Sequence, residues 1–388
     1  MRSSDPVGRW SASGMLVEIA RRAGDLVVLF ADLPEELAPR LRRADADPSA
    51  PLTMRGGPYD GLTVTTVDRD GVPHLLIGGT VTMPPWEEPA AGSAVHAIPV
   101  WPTGPDPDAE PAYSALLAEA HGAGGRAIQP PPDLALGPWV RWLTEQGSVL
   151  FHGSADGAID RLLPRRTSYE LDDQAERGNR PAVYATDDGW WAMWFAIIDR
   201  DRLRGSMRNA VDDFTDPAGR RMPVYHFSVD YRVLPDRPFR DGWLYLLPRD
   251  TFERLPVVPG GPPSHEWCSH APVTPLARLP VRPSDFPFLD RVGGHDDGDL
   301  WRYGELADLV RARVTGGRRS PTGVELRLAW DDTLAAVSEE YLSLGRRLVP
   351  EVQWEFRRDA DGTVWLHVDA PGPLAAMVQN AYAAVLDG

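Results

Sequence analysis

The sequence predicts an α+β chain whose centre is rich in antiparallel strand. Three observations carry this. Short apolar runs bearing β-branched and aromatic residues, such as Val224–Val229 (VYHFSV) and Trp243–Leu247 (WLYLL), crowd the middle of the chain. Helical periodicity there is confined to a few segments, without the strand–helix–strand alternation of a parallel sheet. A Gly/Asp-rich stretch, Gly293–Asp299, reads as a boundary. At 388 residues, more than one ordinary core is expected. The divisions predicted are an N-terminal α+β region over 1–145, a central domain over 146–290 and a small C-terminal α+β module over 300–388.

In the N-terminal region, Met15, Leu16, Ile19 and Ala20 lie at helical spacing, and Leu26–Phe30 (LVVLF) reads as a buried strand. Pro34–Arg43 reads as a second helix, although Pro39 interrupts it. Gly56–Gly61 (GGPYDG) is a turn cluster leading into two strands, Leu62–Val67 and His74–Ile77, joined through Asp70-Gly71. Pro84–Pro111 has linker composition, broken by a short strand at Val95–Val100. Helices follow at Tyr113–His121 and from Pro138, the latter with Trp139, Trp142 and Leu143 on one face and Gly147 as its stop.

The centre opens with a strand over Ser148–Phe151. A helix marked by Ala158, Ile159, Leu162 and Leu163 is expected next, ended by Pro164. A charged loop, Arg165–Arg180, leads to a strand at Ala182–Ala185. Thr186 or Asp187 can cap the helix that carries Trp190, Trp191, Met193, Trp194, Ile197 and Ile198. After VYHFSV and WLYLL, a Pro/Gly loop at Val257–Ser264 precedes strands at Glu266–Cys268 and Leu276–Val281, and the domain should end near Phe286. The C-terminal module reads as helix (Tyr303–Val314), strand (Val324–Trp330), helix (Thr333–Leu344), a hairpin of Val352–Phe356 with Val364–Val368, and a closing helix (Leu374–Leu386).

Composition narrows the chemistry. All 40 basic residues are arginine, so no Schiff-base or Walker lysine exists. A net charge of −16 disfavours nucleic acid and anionic membrane as partners. The single cysteine, Cys268, allows no internal disulfide, and no secretory signal opens the chain, so a cytoplasmic location is expected. No apolar run is long enough to span a membrane. His265, Cys268 and His270 offer metal donors, but a strand turns positions 265 and 268 to opposite faces. His295-Asp296-Asp297 reads as a solvated loop.

Three positions remain as carriers of chemistry. His152-Gly153-Ser154 leaves a strand and sets a ring nitrogen, an unobstructed amide and a hydroxyl side by side, although a strand end with a Ser cap has the same look. Tyr184 repeats the strand-end position 32 residues later. Glu266 opens a strand after a Pro/Gly loop, with Glu170 and Glu253 as weaker alternatives.

Together LFHGS, VYAT with its following helix, and EW at a strand start resemble the ADP-ribosyltransferase fold of the His-Tyr-Glu class, the diphtheria-toxin and PARP-like branch, over about 148–286. The resemblance implies split antiparallel sheets and NAD as substrate, with no metal. It implies that His152 bonds the adenosine-side ribose, that Gly153 and Ser154 hold the nicotinamide amide, that Tyr184 stacks on the nicotinamide ring, and that Glu266 bonds the nicotinamide ribose. Family members often carry a second stacking Tyr on the following helix; here Trp191, Trp194 or Phe195 would serve. Ser264 stands where arginine-, asparagine- or cysteine-directed members carry Glu or Gln. The acceptor therefore stays open, whether a protein, a small molecule or water, and so does a non-catalytic binding role.

Overall fold

The computed structural model describes residues 8–12, 15–22, 25–30, 40–43, 52–55, 63–69, 72–77, 81–83, 94–100, 108–165, 181–203, 205–215, 221–256 and 263–386. It is a mixed α+β structure with several antiparallel sheets. The first eight strands are β1 (Gly8–Ala12), β2 (Met15–Arg22), β3 (Asp25–Phe30), β4 (Arg40–Arg43), β5 (Leu52–Arg55), β6 (Thr63–Arg69), β7 (Val72–Ile77) and β8 (Val81–Met83). They form one meander in sequence order, and its two edges, β1 and β8, come into contact.

Two expected helices are therefore corrected. Met15–Arg22 is a strand: Val17 and Ile19 are β-branched and alternate, and only two residues separate the Arg22↔Asp25 pair, which favours a hairpin with LVVLF over a helix. Arg40–Arg43 is also a strand, paired with β3 and β5; the remainder of that expected helix lies outside the described residues, as do the GGPYDG turn and Asp70-Gly71.

The short strand β9 (Ile98–Pro99) and helices α1 (Glu110–Gly122) and α2 (Leu136–Gln146) join the central body rather than the meander. α2 ends where Gly147 turns left-handed at φ 62°. The centre then contains β10 (Leu150–Ser154), β11 (Val183–Thr186), α3 (Gly189–Ile197), β12 (Met207–Thr215), β13 (Arg221–Asp230), β14 (Gly242–Leu247), β15 (Glu253–Pro256), β16 (Pro263–Ser269), β17 (Ala277–Val281) and β18 (Gly293–His295). Six of these strands form one sheet in the order β15-β16-β11-β10-β14-β17, and a second sheet runs β12-β13-β18 with β9 alongside β13.

Helix α3 lies between the two sheets, and its sequence assigns each side a task. Trp190 and Trp194, one turn apart, pack into an aromatic layer with Tyr225, Phe227, Phe286 and Phe288; Trp194 lies 5.2 Å from Phe227 and Trp190 5.3 Å from Phe288 between ring centroids. Ala192 and Ala196 lie on the six-stranded sheet at Gly153 and Gly242. A methyl at Gly153 would fall 1.9 Å from the Ala192 carbonyl oxygen, and one at Gly242 1.8 Å from that of Ala196. These glycines let helix backbone rest directly on strand backbone. Asp188, rather than Thr186 or Asp187, caps the helix by accepting from the Trp191 amide at 2.8 Å.

The expected helix after His152-Gly153-Ser154 does not form. Side chains take the backbone instead: Ser154 Oγ accepts from the Asp156 amide, and Asp156 Oδ1 from that of Ala158. Leu162 then exchanges backbone bonds with Val273 at 2.8 and 2.9 Å, which holds 155–165 in an irregular path.

The C-terminal elements are α4 (Asp297–Arg311), β19 (Val314–Ser320), β20 (Gly323–Leu328), α5 (Asp332–Leu348), β21 (Gln353–Arg358), β22 (Val364–Asp369), α6 (Leu374–Ala381) and α7 (Ala383–Leu386), with the sheet ordered β19-β20-β22-β21. Gly293–Asp299 is not an exposed boundary. β18 pairs parallel to β13, and His295, Asp296 and Asp297 are buried, which corrects the expectation of a solvated loop. His295 bonds Ser206 Oγ through Nε2 at 2.6 Å and Ser228 Oγ through Nδ1 at 2.8 Å, and Asp297 accepts from Ser206 Oγ at 2.8 Å. Burial lowers the His295 pKa to about 4, so the ring serves as a neutral link. Met222 and Val224 of β13 face the C-terminal core, while Tyr225, Phe227 and Val229 face the central one.

The glycine seat gives a direct test. Gly242→Ala should cost about 1–3 kcal/mol of stability, because the added methyl meets backbone that cannot yield cheaply. Gly304→Ala, inside α4 with nothing within 4 Å, should be neutral or stabilising. Urea denaturation midpoints of the two variants separate these outcomes.

Candidate functional site

β10 and β11 register at one pair only, Phe151↔Thr186. Each has a full partner on its other side: β10 pairs with β14 from Leu150↔Leu247 to Ser154↔Trp243, and β11 pairs with β16 from Val183↔Ser269 to Thr186↔Glu266. The sheet thus splits between β10 and β11. Along the split lies a cavity of about 590 Å³ that His152, Gly153, Ser154, Tyr184 and Glu266 all line. The volume is in the range of small-molecule and cofactor sites.

His152 bridges the split. Its Nδ1–H donates to the Tyr184 carbonyl oxygen at 2.8 Å, which fixes the tautomer and leaves Nε2 as an acceptor. Burial lowers the pKa of this ring; the Tyr184 bond offsets part of that effect, and the positive charge of Arg200 adds to it. A neutral imidazole at pH 7 follows.

The aromatic wall is now specific. Trp191 and Phe195, one turn apart on α3, line the cavity with centroids 6.2 Å apart. The Trp191 indole N–H donates to Asn209 Oδ1 of β12 at 2.6 Å, which sets the ring plane. Trp194 does not contribute to this wall: it is fully buried on the opposite side of α3, in the aromatic layer. Gly153 is accounted for by the helix seat above, so its lack of a side chain answers to packing first.

Sequence reading missed the basic lining. Arg161 and Arg165 from the irregular segment, and Arg200 and Arg240 from beyond α3, all border the cavity. Arg161, Arg165 and Arg200 have no ion pair among the described residues. In a chain of net charge −16, four arginines around one cavity form a local reversal suited to an anionic ligand. The signal was present in RLLPRR, but the expected helix obscured which way those residues turn.

Glu266 sits opposite Thr186, and the residues on either side of it are tied down. His265 donates from Nδ1 to Asp187 Oδ1 at 2.6 Å and from Nε2 to Asp213 Oδ2 of β12 at 2.7 Å. Trp267 donates its indole N–H to Asp187 Oδ2 at 3.1 Å, and the Asp187 amide donates to the His265 carbonyl at 3.2 Å. Burial opposes charge on His265, yet the bonds and charges of Asp187 and Asp213 raise its pKa to about 9. Burial likewise opposes charge on Asp213, but His265 and Arg221 hold its pKa down to about 2.

The donors His265, Cys268 and His270 do not converge. His265 is committed to its two aspartates, while buried Cys268 and exposed His270 each lie 3.4 Å from Glu253 of β15. Glu253 therefore belongs to that surface group rather than to the cavity, and Glu170 lies outside the described residues.

The raised His265 pKa has a defined pH signature. Folding favours the protonated ring, so its contribution is complete below the ordinary value of 6.5 and disappears as pH rises through about 9. Stability by chemical denaturation should fall between pH 7 and 10, on the order of 3 kcal/mol at most. His265→Gln should start lower and flatten that slope.

No protein-family model, curated protein or solved structure matches this chain. Among the described residues, no helix is long and apolar enough to cross a membrane.

Proposed function

We propose that the chain consumes NAD, transferring ADP-ribose to an acceptor with release of nicotinamide. The observation that carries this reading is the convergence of His152, Tyr184 and Glu266, far apart in sequence, on one cavity with an arginine-rich rim. In this reading NAD lies along the split between β10 and β11. Neutral His152 offers Nε2 to a ribose hydroxyl, and the guanidinium groups of Arg200 and Arg240 meet the pyrophosphate. Tyr184, with Trp191 and Phe195 behind, sandwiches the nicotinamide ring. Fixed in that orientation, the nicotinamide ribose presents its anomeric carbon to the acceptor.

As the glycosidic C–N bond breaks, nicotinamide leaves with the bonding pair and positive charge develops on the ribose. The Glu266 carboxylate stabilises that charge as it forms. The acceptor then adds to the anomeric carbon through oxygen, nitrogen or sulfur and gives up its proton. Water in the acceptor's place makes the same site an NAD glycohydrolase. Neither a lysine nor a nucleophilic enzyme intermediate is required, in keeping with the all-arginine composition.

Incubation of the purified chain with NAD, followed by mass spectrometry, tests the reading. Released nicotinamide with ADP-ribose on a macromolecule indicates transfer, and free ADP-ribose indicates hydrolysis; intact NAD ends the proposal. Glu266→Gln should reduce nicotinamide release by about 10²–10³-fold with little change in NAD affinity. Tyr184→Phe should retain NAD binding, whereas Tyr184→Ala should weaken it roughly tenfold by removing the stacking face.

A further inference from the structure

We propose that Asp187 is a positioning residue for Glu266, holding both of its strand neighbours so that the carboxylate faces the cavity. The assignment rests on the NAD reading above. Asp187 follows Thr186, the residue paired with Glu266, at the point where β11 ends. From there its carboxylate takes His265 with one oxygen at 2.6 Å and Trp267 with the other at 3.1 Å, while its amide binds the His265 carbonyl at 3.2 Å. One residue thus makes three contacts to the two positions that bracket Glu266. Its own charge is balanced by Arg254 at 3.4 Å, and Arg249 stacks on the Trp267 ring at 4.3 Å from its centroid.

The need for such a clamp follows from strand geometry. Successive side chains alternate faces, so a slip of one residue would carry Glu266 out of the cavity and bring His265 or Trp267 into it. β16 is exposed to slippage at this point. Its pairing with β15 is irregular between Arg254 and Pro256, and β11 offers only four registered pairs. An apolar contact would hold the strand but tolerate a slip. A carboxylate with each oxygen committed to a different donor does not, because the displaced partners would leave charge buried without compensation. Asp213 and Arg221 extend the clamp to the second sheet through the far side of His265, fixing the catalytic edge against the other half of the centre.

Asp187 touches neither the cavity nor the proposed substrate, which separates its effect from that of Glu266. With the full-length chain and NAD, Asp187→Asn should lower kcat for nicotinamide release by about 10–100-fold while KM stays within about threefold. In a Glu266→Gln background the same change should alter the residual rate by less than about twofold, because the two residues act as one unit. Trp267→Phe, which keeps an aromatic face but removes the indole donor along with part of the ring, should lower kcat by roughly three- to tenfold while the chain stays folded by its denaturation midpoint. It carries the test if Asp187→Asn does not fold. Unchanged kcat in Trp267→Phe, or losses that multiply with Glu266→Gln, overturn the assignment and leave the NAD reading standing. A wild-type chain that leaves NAD intact overturns both.

Discussion

The contact on which the centre depends is backbone against backbone, where α3 rests on Gly153 and Gly242. With no side chain between them, the helix approaches the six-stranded sheet closely enough to bring Trp191 and Phe195 to the edge of the split and Trp190 and Trp194 to the second sheet. A helix held farther off would leave a gap against the six-stranded sheet and crowd Trp190 and Trp194 into the aromatic layer, and dispersion contacts are lost steeply over such gaps. The cavity wall and the hydrophobic core are thus two sides of one nine-residue helix. The same closeness forces the polar end of that helix inward. Asp188 is buried with its pKa raised by that burial, and a 2.6 Å bond from the Tyr225 hydroxyl offsets part of the cost.

Much of the centre was legible because most of its strands are short apolar or aromatic runs, and β16 was marked by the Pro/Gly loop before it. β11, β13, β14 and β17 lie close to where those runs predict, whereas β10 starts two residues later and takes in His152-Gly153-Ser154, and β16 starts three residues earlier, at Pro263. The three candidate site residues read as strand ends but lie inside their strands, His152 third of five in β10, Tyr184 second of four in β11 and Glu266 fourth of seven in β16; all three line one cavity. What periodicity could not supply was long-range pairing. Met15–Arg22 has both helical and alternating readings, and only its partner, two residues on, selects the strand. Residues 155–165 have helical spacing but lose the helix to local side-chain bonds and to Val273, more than a hundred residues away. His295-Asp296-Asp297 looks solvated by composition. It is buried because Ser206, Ser228 and Arg208 satisfy its polar atoms, and none of them is near in sequence. Trp194 was grouped with Trp191 because sequence gives a helix's faces without saying which one meets the cavity.

Buried charge is concentrated where elements must keep their register. His265 with Asp187 and Asp213 joins the six-stranded sheet to β12, and Asp297 with Arg208 joins β12 to the start of α4. Arg232 with Asp230 performs a similar task beside β18, where Asp296 has its pKa raised to about 6, chiefly by burial. Desolvation offsets part of the attraction in such groups. Their use is directional: each accepts partners in one arrangement only. The cavity draws on the opposite property: of its four arginines only Arg240 has a carboxylate partner among the described residues.

The division of β13 between two cores reaches beyond packing. Its odd positions, Tyr225, Phe227 and Val229, belong to the centre, and its even positions, Met222 and Val224, belong to the C-terminal module. On the ribosome this strand emerges well before the residues that cover its second side. Until β18 and the helices after it have been made, Met222 and Val224 lack their cover and the Ser228–Asp230 end of the strand lacks its parallel partner, a condition that favours association with other chains. A polypeptide ended near residue 290 would keep every residue that lines the cavity and carry that uncovered strand permanently. The last hundred residues thus act as an internal cover for this strand, and their removal would first appear as aggregation.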